Sequence, residues 1–152
     1  MDNIFMEENG AYSIDCTNAV WASDRMHEDY HNAGIHINDV DFLVEDMNHI
    51  LMVEYKNANL SCAVRPQAFD PLADKKISVT ARKFYDSLHY LRLLGKEKPV
   101  QYIYVLEYPN GDVTMRKRLR NRLKSEMQSG IKMRNMENIQ SKKENKGEYR
   151  QL

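Results

Sequence analysis

Three charged residues stand where a carboxylate pair and an amine can do hydrolytic chemistry together: Asp41, and Glu54 with Lys56 two residues beyond it. Carboxylates held close repel each other unless a cation lies between them. Mg²⁺ is typically held by one or two carboxylates, with waters and substrate phosphates completing its shell. An ammonium beside such a site can orient or deprotonate a water, or stabilise charge developing on a phosphate oxygen. The residue types therefore point to metal-assisted phosphoryl chemistry. Glu-x-Lys by itself discriminates little, because Glu144-Asn145-Lys146 repeats it in a polar tail. What separates the two is the elements that position them.

Asp39 to Glu45 (DVDFLVE) alternates Val40, Phe42 and Val44 against Asp41, Leu43 and Glu45, and a polar connection, Asp46 to His49, leads into Ile50 to Lys56. Two strands this close predict an antiparallel hairpin. Successive strand side chains point to opposite faces, so Ile50, Met52, Glu54 and Lys56 share one face. A turn centred between Met47 and Asn48 sets Leu43 opposite Met52, Phe42 opposite Val53 and Asp41 opposite Glu54. Directly opposed Cβ atoms lie about 4.5–5.5 Å apart, where like charges destabilise unless compensated. A different register would put Asp39 forward for the Asp role. The plainer alternative makes Asp41 and Lys56 solvated strand-end charges and pairs Glu54 with Lys56 or Arg65.

Around this hairpin, Ala19, Ala22, Met26, Tyr30 and Ala33 recur at helical spacing, predicting a helix over 17–32 that Gly34 ends. The stretch 57–76, with weak periodicity and two prolines, is a candidate substrate-facing loop. A second helix is expected over 79–94, with Ser78 as cap, Ala81, Phe84, Leu88 and Leu91 as its buried stripe and Gly95 past its end. VQYIYVLEY (100–108) reads as a strand. Asn110-Gly111 then signals a hairpin, with Val113 to Met115 returning as a short strand. A last helix is expected from about Lys117, interrupted near Gly130. Residues 1–14 are either frayed or a short extra element. The reading is one α/β (α+β) domain over 1–140, with its core at 17–108, a basic extension at 112–140 and a disordered polar tail at 141–152.

The segment VDFLVEDMNHILMVEYKN resembles the core of the PD-(D/E)XK nuclease superfamily, the restriction-endonuclease-like fold, in which an Asp on one strand and a Glu-x-Lys on the next flank a metal site. The matching residues are Asp41, Glu54 and Lys56, with Val40 where the name-giving proline stands. The resemblance extends to element order from about Thr17 to Tyr108. It implies a central mixed sheet flanked by helices and Mg²⁺- or Mn²⁺-dependent hydrolysis of phosphodiesters in nucleic acid, usually DNA. Asp41 and Glu54 would be the metal ligands, with Lys56 assisting the attacking water. Many members add a Glu from the first helix. Glu28 is the nearest candidate, yet it lies about 200° around the helix from Met26. His27 and His31 read as surface residues.

The 152-residue chain balances 22 basic against 22 acidic residues, but from Met115 onward twelve basic residues face four acidic ones. Arg116, Lys117, Arg118, Arg120, Arg122 and Lys124 are therefore candidate phosphate contacts, which would make binding salt-dependent and independent of sequence. Equally, Leu119, Leu123 and Met127 mark an amphipathic helix docked on the sheet or on a second subunit, as in a homodimer. Tyr102, Tyr104 and Tyr108 read as core or interface rather than a base-stacking platform. Cys16 and Cys62 form neither a metal knuckle nor a disulfide scaffold. With no leader pattern and no apolar run of membrane-spanning length, an intracellular, soluble, cytoplasmic protein without a membrane partner is expected. Two other readings remain: a catalytically inactive nucleic-acid- or protein-binding module on the same fold, and an unrelated α+β interaction domain, favoured if Asp41 and Glu54 fall on opposite faces.

Overall fold

The computed structural model describes residues 3–58 and 69–128. Its elements, in chain order, are β1 (Ile4–Met6), β2 (Ser13–Asp15), β3 (Trp21–Ser23), α1 (Met26–Asn32), β4 (Phe42–Glu45), β5 (Ile50–Asn57), α2 (Asp74–Leu93), β6 (Val100–Glu107) and α3 (Val113–Gln128). The architecture is a mixed α+β fold around a four-stranded sheet of order β3-β4-β5-β6. Neighbours are antiparallel except β5 and β6, which run parallel with α2 as their crossover. The break near Gly130, the polar tail, Arg65 and Cys62 lie outside the described residues, as does half of the candidate substrate-facing loop, residues 59–68.

The hairpin register is the predicted one: Phe42 faces Val53, Leu43 faces Met52, and Glu45 faces Ile50. Its turn is held by Asp46, whose Oδ1 accepts the N–H groups of Asn48 at 2.7 Å and His49 at 2.6 Å. Leu43, Ile50, Met52, Tyr102, Tyr104 and Leu106 look toward Met26, Tyr30, Ile77, Phe84, Leu91 and the α3 residues Leu119, Leu123 and Met127. On the other face Phe42, Val44, Leu51, Val53, Ile103 and Val105 pack under Tyr12, Ile14 and Cys16 of the N-terminal hairpin. From Ile50 to Val53, strand β5 is apolar on both sides because both sides are covered. Each such side chain contributes about 1.5–3 kcal/mol on full burial. Among the described residues the helices all pack into one core, and residues 4–15 supply the short extra element, a β1–β2 hairpin over the other face of the sheet.

Three expected elements are corrected. The helix over 17–32 is confined to Met26–Asn32, because Trp21–Ser23 pair with Leu43–Glu45 and complete the sheet beyond β4. The alanines that produced the helical spacing, Ala19 and Ala22, pack instead toward the N-terminal hairpin. Helix α2 starts at Asp74 rather than Val79, leaving Ser78 inside it. Val113 to Met115 open α3 rather than forming a strand: Asp112 Oδ1 accepts the Met115 N–H at 2.7 Å and satisfies the first turn as an N-cap carboxylate does. A Cβ at Gly111 would press on the Tyr108 carbonyl at 3.2 Å and require the Met115 methyl to swing aside. Gly34 and Gly95 do end their helices, at φ 73° and 71°. No helix among the described residues is long and apolar enough to cross a membrane.

Candidate functional site

Asp41 stands one residue ahead of β4, and α2 fixes the segment that delivers it. The Asn38 N–H donates to Asp86 Oδ2 at 2.8 Å and the Val40 N–H to Ser87 Oγ at 3.2 Å. Asp41 Oδ2 in turn accepts the Tyr55 N–H at 2.7 Å, which ties it to the strand carrying Glu54. Continuing the observed register, Asp41 is the residue opposite Glu54. Glu54 is 6% exposed and points toward α2. One of its oxygens, Oε1, accepts from the Lys83 ammonium, while Oε2 is buried without a hydrogen-bond partner.

Lys83 was not foreseen from the sequence. It lies beside the apolar stripe of α2, four residues before Ser87 and seven before Tyr90, both buried. That second helix face, Lys83–Ser87–Tyr90, was the available signal. It reads as solvated because two of its three members are polar.

Asp41 and Lys83 open onto a cavity of about 400 Å³, lined also by Glu7, Glu8, Asp24, His27 and Asp39. Burial raises the Asp41 carboxyl above the usual range, and the charges of Asp39 and Glu7 add to this against the Tyr55 N–H and Lys83. Glu54 is pushed up to about 8, by burial first and by Asp41 second, in spite of Lys83. For Lys83, burial works against the ammonium, but Glu54, Asp41 and Asp39 together outweigh it and hold its pKa above the ordinary value. One ammonium is set against a buried carboxylate, Glu54, and a half-buried one, Asp41, so the three groups together are net negative unless a carboxyl holds its proton.

The other predicted residues are distributed differently. Lys56 is exposed, its Nζ lying 5.6 Å from the centre of the Phe69 ring, so the amine against Glu54 is that of Lys83. Asp39 lines the cavity with its Oδ1 at 3.2 Å from His27 Nδ1. Glu28 is exposed and paired with Arg25 at 3.8 Å. On α3, the Arg116 guanidinium contacts the carbonyls of Leu106, Tyr108 and Gly111 at 3.4 Å. Arg122 binds the Leu72 carbonyl at 2.7 Å and Asp74 at 2.8 Å, locking α3 to the start of α2. Lys117 and Arg118 are exposed, and Arg120 and Lys124 half-buried. Tyr102 and Tyr104 are core residues, as expected.

No group of three or more Asp, Glu, His or Cys side chains among the described residues is arranged to hold a metal ion. Asp41 and Glu54 nonetheless match the smaller donor set that Mg²⁺ accepts, two carboxylates with waters and phosphate oxygens, and the unpartnered Glu54 Oε2 is a lone pair for such an ion. Comparison with protein-family models, with curated proteins and with solved structures gives no match.

Proposed function

We propose that this chain is a metal-dependent nuclease, hydrolysing phosphodiester bonds in nucleic acid, with DNA the expected substrate and Asp41 and Glu54 holding Mg²⁺ or Mn²⁺. The observation that carries this reading is Glu54, a carboxylate withdrawn from water beside a second one and left with one buried oxygen unpaired. Burying a charge is costly unless it is paired, and leaving a buried acceptor unpaired costs about 1–3 kcal/mol. Glu45, the other buried carboxylate among the described residues, shows the usual solution: Lys96 and Lys98 take both of its oxygens. A bound divalent cation would supply Lewis acidity toward a phosphoryl oxygen and lower the pKa of its water. Asp41 is oriented for this by the Tyr55 N–H, Lys83 places a positive charge at the cavity wall, and the exposed Lys117 and Arg118 are available to phosphates.

The test is cleavage of plasmid, linear and single-stranded DNA, and of RNA, in Mn²⁺ or Mg²⁺ by wild type, Glu54→Gln and Asp41→Asn. Both variants are expected to fold and to lose activity by about 10²-fold or more, as when a group stabilising transition-state charge is removed. Activity that survives in both would sink the assignment. One observation favours the second reading, an inactive nucleic-acid-binding module: Lys83 already satisfies half of Glu54. That reading predicts nucleic-acid binding with no response to divalent cations.

A further inference from the structure

We propose that Lys83 is the resident counter-cation of the Asp41–Glu54 pair, occupying the place of a divalent ion and giving way when the ion binds. This rests on the metal-site reading above and concerns how that site is filled.

The ammonium pairs with Glu54 Oε1 while Oε2 stays unpartnered, so Lys83 compensates the carboxylate only in part. A divalent ion reaching Oε2 and Asp41 would bring twice the charge to the other oxygen of the same carboxylate, and two cations that close repel each other. Lys83 is suited to leave. Its side chain is 26% exposed, it borders the cavity, and its stem is a flexible four-carbon chain. A second acceptor, Asp39, lines the same cavity and already acts on the Lys83 charge. Asp41 does not need to move, since it is held by the Tyr55 N–H and the chain before it by Asp86 and Ser87. The exchange is a side-chain rotation within a fixed frame. It gives a protein that folds without metal and binds the ion against an internal competitor.

The experiment is calorimetric titration of Mn²⁺ into wild type, Lys83→Met and Lys83→Met/Asp41→Asn, with thermal denaturation of each at zero and saturating Mn²⁺. Lys83→Met is expected to melt lower than wild type without metal, to bind Mn²⁺ about tenfold more tightly, the scale on which one neighbouring charge acts at a buried carboxylate, and to gain more in Tm from Mn²⁺ than wild type does. The double variant is expected to lose the tightening. Equal or weaker binding by Lys83→Met, with wild type still binding, would overturn the competitor role and leave the metal site standing. No Mn²⁺ binding in either wild type or Lys83→Met would remove the metal site itself. If Lys83→Met is unfolded without metal, refolding in a Mn²⁺ series decides: recovery of the native transition supports the exchange, and failure to recover at millimolar Mn²⁺ overturns it.

Discussion

Glu54 binds its proton more tightly in the folded chain than in the unfolded one, and this has a measurable sign. Its pKa rises from 4.5 to about 8, through burial and then the Asp41 charge. The folded state therefore holds more protons between those values, and the contribution of this residue to stability is full below about pH 4.5 and is lost as pH rises toward 8. Glu54→Gln is expected to flatten this fall in urea-denaturation free energy across that window. An unchanged slope would place the titration elsewhere. Glu45 runs the opposite way: hydrogen bonds from Lys96 and Lys98 hold its pKa down, so its contribution is present above the unfolded value and is lost on acidification. Lys56 belongs to the same scale. Exposed and resting on Phe69, it should tolerate Lys56→Ala within about 0.5 kcal/mol and with Mn²⁺ binding unchanged; loss of binding would show that its amine reaches the carboxylates in solution.

At the scale of elements, α2 does two jobs with two faces. Its apolar stripe packs on the sheet, while Lys83, Asp86 and Ser87 hold the charge and the backbone around Asp41. Ser87→Ala leaves the buried Val40 N–H without its acceptor, at a cost of about 1–3 kcal/mol, and should weaken Mn²⁺ binding through Asp41. Normal metal affinity with reduced stability would confine Ser87 to a structural role. Helix α3 is similarly divided. Arg116 and Arg122 are committed to the protein's own carbonyls and to Asp74, whereas Lys117 and Arg118 face solvent. Lys117→Ala/Arg118→Ala is expected to lower nucleic-acid affinity and reduce the slope of log affinity against log salt by about 0.9 per DNA contact removed. Arg122→Ala should chiefly lower stability. An equal loss of salt slope in the two would mean that Arg122 leaves Asp74 to meet phosphate.

At the scale of the whole fold, the sheet has two covers of different origin among the described residues, three helices on one side and a short hairpin on the other. Ile14, fully buried in the second cover, makes this testable: Ile14→Ala should cost about 2–5 kcal/mol, as a core truncation does. A frayed N-terminus would show almost no change. The cover also explains Cys16, which is buried in the same cluster with its thiol pushed up to about 11 by burial first and Asp15 second, and is therefore an unreactive packing residue.

Local order in the sequence determined the β4–β5 hairpin and its register, since a two-residue period and a short turn admit one pairing that keeps the apolar sets together. It determined the helix ends at Gly34 and Gly95, whose left-handed backbone is cheap only for glycine. It placed Asp41 opposite Glu54 for the same reason. Only the tertiary structure decided which amine meets Glu54, which arginines of α3 face inward, and that Trp21–Ser23 are a strand. For Glu54, Arg122 and β3 the partner is distant in the chain: Lys83, Leu72 with Asp74, and Leu43–Glu45 respectively, whereas Arg116 turns back on the nearby carbonyls of Leu106, Tyr108 and Gly111. A charge beside a helix stripe has the same sequence pattern whether it ends in water or against a buried carboxylate, and only packing separates the two.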